Sequence, residues 1–349
     1  MANIVLTTFP KHKSRNVGDA MITSSAISLI KKQFPKFAPT IIFREKSLNG
    51  LTKKTRHSIV APGFSVSNNT YPSLFPLFDD LDRMEYFFPI GCSYQSPIPY
   101  ADAFKPGQYN KITLEFLRGM AERFGPFPCR DQLIADLLTQ HKIPAFLMCD
   151  LVLFDDAMIG RDLNFPEDIR SIAISLQHHT RYLEQVIDIM KLVRRRFTKA
   201  KCYVTLQSAQ NNMYKIMSHR AEEIGFETVD LSGPAINLEF YNQIDLHIGY
   251  RLHGHVYFLR KRKPSILLVE DCRSYGFSRT SDLNVGCIDA YDSKKGEPDD
   301  LAPAKAMAFL DHQLSIKFAD YEKPLALIDH IYSTVVSEHF NILGDKLQQ

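Results

Sequence analysis

Short apolar runs rich in β-branched residues alternate along this chain with segments whose apolar residues return every three to four positions. No other feature limits the fold so strongly. Short continuous apolar runs read as buried strands, and the longer spacing reads as amphipathic helices. Strands joined through helices fold into parallel sheets, because a crossover helix is what links two parallel strands. Residues 3–9 form the first predicted strand. Ile22, Ala26, Leu29, Ile30 and Phe34 then stripe a helix, with Asp19 where its N-cap belongs. Residues 40–43 and 58–60 are further short strands. Residues 62–110 are loop-rich, with a strand over 86–90. Helices over 115–124 and 132–140 and a buried strand over 145–153 close the first set. A second set follows: strands near 171–176, 202–206, 226–230, 245–249 and 265–269, separated by helical stripes.

The length, 349 residues, exceeds what one hydrophobic core usually serves. Gly, Asp, Asn and Pro collect at 155–166, so the boundary is expected there. The expected organisation is an N-terminal unit over 1–160, a second over 167–320, and a C-terminal helix in 321–349 that packs back on the first. The fold class is α/β, with two Rossmann-like domains facing across a cleft. Lys and Arg total 42 against 39 Asp and Glu, a net charge of +3, which argues against a dedicated nucleic-acid binder. No apolar run reaches the roughly 20 residues of a membrane span, and no signal peptide is visible at the N-terminus. Six scattered cysteines without a C-x-x-C pair read as buried thiols in a reducing compartment. The expected location is therefore cytoplasmic, with a peripheral contact at the inner membrane face left open. Nothing in these features specifies an oligomer.

The residues that carry chemistry gather at predicted strand ends, where open α/β sheets bind ligands. Arg251, His253 and His255 follow one strand and open a helix, whose free N–H groups suit an anion. Arg273 follows the next strand through Glu270-Asp271-Cys272. His178 and His179 follow the first strand of the second unit; no third ligand is spaced with them, so polar substrate contacts are expected rather than zinc. Arg130 begins a helix and either aims into the cleft or is solvated beside a capping Asp131. Asn16 and Asp19 flank Gly18 at the first strand–helix turn, which matches neither G-x-G-x-x-G nor a P-loop. The basic runs 194–196 and 260–263 end helices, where cations suit the dipole; contact with an anionic lipid headgroup is the alternative.

Three of these segments together resemble the polysaccharide pyruvyl transferase family. Asn16-Val17-Gly18-Asp19 is similar to its N-x-G-D turn. Cys129-Arg130-Asp131 with Met148-Cys149-Asp150 is similar to its R-D…D block. Arg251-Leu252-His253, Pro264-Ser265-Ile266 and Glu270-Asp271-Cys272-Arg273 are similar to its R-x-H…P…Y-D-x-K block. Two positions depart: Glu270 stands for Tyr, and Arg273 for Lys, which keeps the charge and adds a planar fork. The resemblance implies a glycosyltransferase-B-like fold. It also implies transfer of pyruvate from phosphoenolpyruvate to a cell-surface polysaccharide or its lipid-linked precursor, as a cyclic ketal. Phosphoenolpyruvate is then a co-substrate, and no separate cofactor or metal is expected. On that reading Arg130, Arg251 and Arg273 hold the anion and His253 is the general acid. Asn16, Asp19, His178, His179 and His255 are further substrate contacts. A nucleotide-sugar glycosyltransferase of the same architecture and a non-catalytic glycan-binding protein are the rival readings.

Overall fold

The computed structural model of the protein describes residues 2–9, 15–52, 56–94 and 109–349. Strand β1 (Ala2–Thr7) leads into helix α1 (Val17–Gln33). The cap of α1 is Asn16, whose side chain accepts from the Gly18 N–H, and not the expected Asp19. Val17 is already inside the core, so the helix must begin there, and Asp19 falls in its first turn, where a carboxylate also suits the dipole. β2 (Thr40–Phe43), β3 (His57–Pro62) and β4 (Met84–Ile90) complete a parallel sheet in the order β2-β1-β3-β4. Helix α2 (Lys111–Phe124), β5 (Phe127–Cys129), α3 (Gln132–Gln140) and β6 (Ala145–Leu147) follow, β5 and β6 pairing in parallel. A parallel backbone pairing of Cys92 with Cys129, both free thiols, ties that pair to the end of β4. The long strand expected over 145–153 is cut short. Cys149 takes a left-handed φ of 68°, and Asp150 then caps a tight 3₁₀ turn, Leu151–Leu153.

The second sheet is built from β7 (Ser171–Ser175), α4 (Leu183–Arg196), β8 (Lys201–Leu206), α5 (Asn212–Ile224), β9 (Glu227–Asp230), β10 (Leu246–Gly249), α6 (Leu252–Arg260), β11 (Ser265–Val269), α7 (Cys272–Ser278) and β12 (Cys287–Asp289). The helices form for local reasons. In α4, Val186, Ile189, Met190 and Val193 make one buried stripe. In α5, Asn211 caps the start, and Gly225, at φ 88°, supplies the left-handed turn that ends it. Every strand is parallel to its neighbours, in the order β12-β11-β10-β7-β8-β9. The chain runs outward from β7 through β8 and β9, then returns to lay β10 on the other side of β7. The crevice between the carboxyl ends of β7 and β10 is therefore the topological switch point, where open α/β sheets take ligands.

Helices α8 (Ala302–Ser315), α9 (Glu322–Ile331) and α10 (Ser337–Gln348) end the chain. The single C-terminal helix expected in 321–349 is α9 and α10 joined through a π turn at Tyr332–Val336. α10 lies on α1: a Cβ on Gly344 would come within 2.9 Å of Gln33, and Asn3 donates to the Leu347 carbonyl. The basic run 260–263 is absorbed by the interior. Arg262 is fully buried and bonds the carbonyls of Met158 and Leu325 and the Asp329 carboxylate. Arg260 and Lys261 both pair with Asp155. These cations fasten the segment after β6 and the C-terminal helices to the second sheet, so they are not a free surface for anionic lipid. Among the described residues no helix is long and apolar enough to cross a membrane.

Candidate active site

Strands β7 and β10 approach closely at their carboxyl ends because Gly249 has no side chain; a Cβ there would lie 2.3 Å from Ser175 Oγ and 2.6 Å from its backbone. The next turn delivers Arg251 into the switch-point crevice. Its backbone N–H donates to Ser175 Oγ (3.2 Å), its Nη1 to His178 Nδ1 (2.6 Å), and its Nη2 to Ser208 Oγ (3.0 Å) and Asn16 Oδ1 (3.3 Å). One guanidinium thus links the ends of β7, β8 and β10 to the cap of α1. The Arg251 charge, with burial, holds His178 well below the usual imidazole range. Because Arg can only donate, His178 Nδ1 must accept, which assigns the ring proton to Nε2. His178 is a neutral donor there, not a second cation.

Glu270, at the end of β11, accepts the backbone N–H groups of His178 (2.8 and 2.9 Å) and His179 (3.3 Å). Burial and the neighbouring Asp271 push its carboxyl up to about 8, against the Arg251 charge. Asp271 caps α7 and binds Arg273 at 2.6 and 2.9 Å; these bonds outweigh burial and keep Asp271 ionised. A cavity of about 360 Å³ opens between α1 and this sheet edge. Asn16, Asp19, Arg44, His178, Ser208 and Arg273 are on its wall. Arg44 was not singled out in the sequence, although it stands directly after β2, where the same strand-end rule applies.

His253 sits in the first turn of α6, 5% exposed, and reaches across to the other sheet. Its ring lies against Gly18: a Cβ on that glycine would come within 2.2 Å of His253 Nδ1. Its Nε2 is 3.5 Å from Asp150 Oδ2, the oxygen that Asp150 does not use for capping; Oδ1 accepts from Val152. Asp150 is 2% exposed. Burial alone would raise it, but His253 at 3.5 Å and the charge of Arg130 hold it below the ordinary carboxylate range. An ionised carboxylate therefore orients the His253 ring.

Arg130 is not solvated. It is 4% exposed, anchored by its N–H to the Cys92 carbonyl, and its Nε and Nη2 have no hydrogen-bond partner among the described residues. Asp131 caps α3 and lies 3.9 Å from Arg130 Nε, in a space left by Gly276 of α7. Burial pushes Asp131 up to about 6, against the Arg130 charge.

The structure thus puts Asn16, Asp19, His178 and Arg273 on the wall of one cavity, with Arg251 bonded to Asn16 and His178 behind it, and sets His253 against Gly18 and Asp150. It does not bring His255 there. His255 is two residues after His253, which on a helix turns it to the far side. It is fully buried, bonds Ser265 Oγ at 2.8 Å, and burial lowers it to about 3. The expected substrate contact is a core residue. Ser265 passes the network to His247, and His247 to Ser175, beneath Arg251. His179 gives Glu270 its backbone N–H and sets its ring edge-on to His178. Among the described residues no group of three or more His, Cys, Asp or Glu side chains is arranged to hold a metal ion.

The model of the polysaccharide pyruvyl transferase family matches residues 16–271, which takes in Asn16, Arg130, Asp150, Arg251 and His253 and stops just short of Arg273. No curated protein matches the chain. Similar solved structures include S. aureus MnaA in a co-structure with UDP, at 9% identity over 93% of this chain and 91% of that one, TM-score 0.49. The UDP-GlcNAc 2-epimerase from Neisseria meningitidis bound to UDP-GlcNAc is 9% identical over 99% of each chain, TM-score 0.47. A mutant of S. aureus TarM, in complex with fondaparinux, alpha-GlcNAc-glycerol and UDP, is 10% identical over 81% of this chain and 53% of that one, TM-score 0.47. The chain spans about half the length of TarM.

Proposed function

The chain belongs to the polysaccharide pyruvyl transferase family, and from that membership we propose that it moves the pyruvyl group of phosphoenolpyruvate onto a sugar. The product is a cyclic pyruvate ketal on a cell-surface polysaccharide or its lipid-linked precursor, and inorganic phosphate is released. The observation that carries the reading is the buried His253–Asp150 pair beside a cavity walled by cations. Phosphoenolpyruvate presents a carboxylate and a phosphate, and Arg130, Arg251 and Arg273 are the groups for them, with His178 Nε2–H as a neutral donor. Arginine suits both anions through its planar fork.

His253 donates a proton to the methylene carbon, turning the enol double bond into a methyl group and an oxocarbenium-like carbon. Asp150 holds the ring in place for the transfer. One sugar hydroxyl adds to that carbon and loses its proton. The carbon–oxygen bond to phosphate then breaks, and a second hydroxyl of the same sugar closes the ketal. Asp19, on the first-sheet side of the cavity, is the carboxylate available to the acceptor. Phosphoenolpyruvate carries its own activated group, so the reaction needs no further cofactor. It is made in the cytoplasm, which is where this chemistry would take place.

General acid catalysis is worth roughly 10²- to 10⁴-fold, so His253→Ala should lose that much turnover and still bind phosphoenolpyruvate. The assay is phosphate release that depends on both phosphoenolpyruvate and a sugar acceptor. Near-normal turnover in the variant removes His253 from the mechanism. Nucleotide release from a nucleotide sugar, with no phosphoenolpyruvate-dependent phosphate, replaces the reading with a glycosyltransferase.

A further inference from the structure

Arg44 belongs to none of the motifs discussed above. It follows β2 directly, and its backbone N–H donates to the Thr7 carbonyl (3.0 Å), which fixes the side chain at the carboxyl edge of the first sheet. The guanidinium carbon lies 5.6 Å from the centre of the Phe75 ring. Its Nε and Nη1 are shut off from solvent and have no hydrogen-bond partner among the described residues. Arg273, on the same cavity wall, is paired with Asp271; Arg44 has no salt bridge among the described residues. A guanidinium cannot shed its proton, so burying it unpaired works against folding. Burial acts on Arg44 in that sense, and the Asp19 charge opposes it from across the cavity.

We propose that Arg44 is an anion-binding residue of this cleft, gripping an oxyanion of the small substrate from the first sheet while Arg273 and His178 grip it from the second. The assignment of that anion as phosphoenolpyruvate rests on the proposed function; the assignment of Arg44 to an oxyanion does not. The ligand, on this view, supplies the hydrogen bonds that Nε and Nη1 lack, and it joins the two sheets through its own charge. Asp19 acts on both Arg44 and Arg273, which keeps the wall from repelling itself before the anion arrives.

The test is calorimetric titration of the full chain and its Arg44→Ala and Arg44→Lys variants with phosphoenolpyruvate and, separately, with inorganic phosphate, alongside thermal melts. A lost charge-assisted hydrogen bond should weaken binding about 10- to 100-fold in Arg44→Ala. The melting temperature should not fall, because the residue removed was unpaired. Arg44→Lys keeps the charge and should recover part of the affinity; it also carries the test should Arg44→Ala fold poorly. Unchanged affinity for both anions in both variants overturns the proposal, and so does a wild-type protein that binds neither. If phosphate binds through Arg44 and phosphoenolpyruvate does not bind at all, Arg44 stands as an oxyanion residue and the pyruvyl-transfer reading falls. If phosphoenolpyruvate binds equally to all three proteins, that reading stands and Arg44 falls.

Discussion

Gly18→Ala sets two opposed effects against each other, and their sum depends on His253. Gly18 lies in the first turn of α1 with ordinary helical backbone, so alanine there should favour the helix, by up to about 1 kcal/mol. Against this, the new Cβ would stand 2.2 Å from His253 Nδ1, 2.7 Å from Cγ and 2.9 Å from Cβ. Ordinary contact needs roughly 3.5 Å, so the ring must retreat by about 1 Å or more. It has little room, being 5% exposed and already 3.5 Å from Asp150. Overpacking of this kind costs about 1–3 kcal/mol, leaving a net loss of about 0–2 kcal/mol once the helix gain is subtracted. A misplacement of that size can remove roughly 10²-fold of turnover. The assay is a double-mutant cycle by denaturant unfolding, with phosphate release measured on the wild-type background. In wild type, Gly18→Ala should destabilise. In His253→Ala the ring is gone and only the Cβ contact at 2.9 Å remains, so the same change should cost clearly less than in wild type. Equal effects in the two backgrounds would refute the reasoning, because the glycine would then not be serving the histidine.

Three further predictions use other parts of the structure. Glu270 is raised to about 8, so it takes up a proton on folding; its stabilising contribution is complete below about pH 4.3 and is lost as pH rises through 8. Glu270→Gln should therefore flatten the fall in unfolding free energy between pH 5 and pH 8.5, and a slope equal to wild type would show that Glu270 does not titrate there. His255→Ala should cost about 3 kcal/mol through its lost packing and its bond to Ser265, while phosphoenolpyruvate affinity measured by calorimetry stays within about twofold; reduced affinity at unchanged stability would return His255 to the site. Arg262→Ala strands two carbonyls and Asp329 and should cost about 2–4 kcal/mol by denaturant unfolding; a cost near zero would mean that this clamp does not hold the C-terminal helices.

The parallel α/β architecture was legible because its signal is periodic and long. The crevice residues Arg251 and His178 were legible through one rule, that ligands gather at strand ends. The same rule covers Arg44, directly after β2, but a lone arginine there has no neighbouring motif to mark it. Asp150 could be read from a motif, but not its geometry: a left-handed Cys149 ends the strand, and nothing in a cysteine announces that backbone. Arg130 was ambiguous because solvation is a property of neighbours distant in sequence, here Cys92 and the 272–278 helix. His255 is next but one to His253 in the motif yet lies on another side of α6, because a helix turns positions two apart to different faces. The basic run at 260–263 was read from local helix electrostatics. Its partners Met158, Leu325 and Asp329 come from segments that only the tertiary fold brings together.

His253 is carried by a helix of the second sheet, while Gly18 and Asp150, which seat it, come from segments flanking the first. The junction works as an interlock. Were the two sheets to separate, the imidazole would lose its anchor and its wall together, so the general acid proposed at His253 is complete only in the joined arrangement. The same wiring limits how such proteins can be recombined. A chimera that takes one half from a relative must carry over a glycine facing the ring and a carboxylate 3.5 Å from its nitrogen, because His253 and its seat come from different halves.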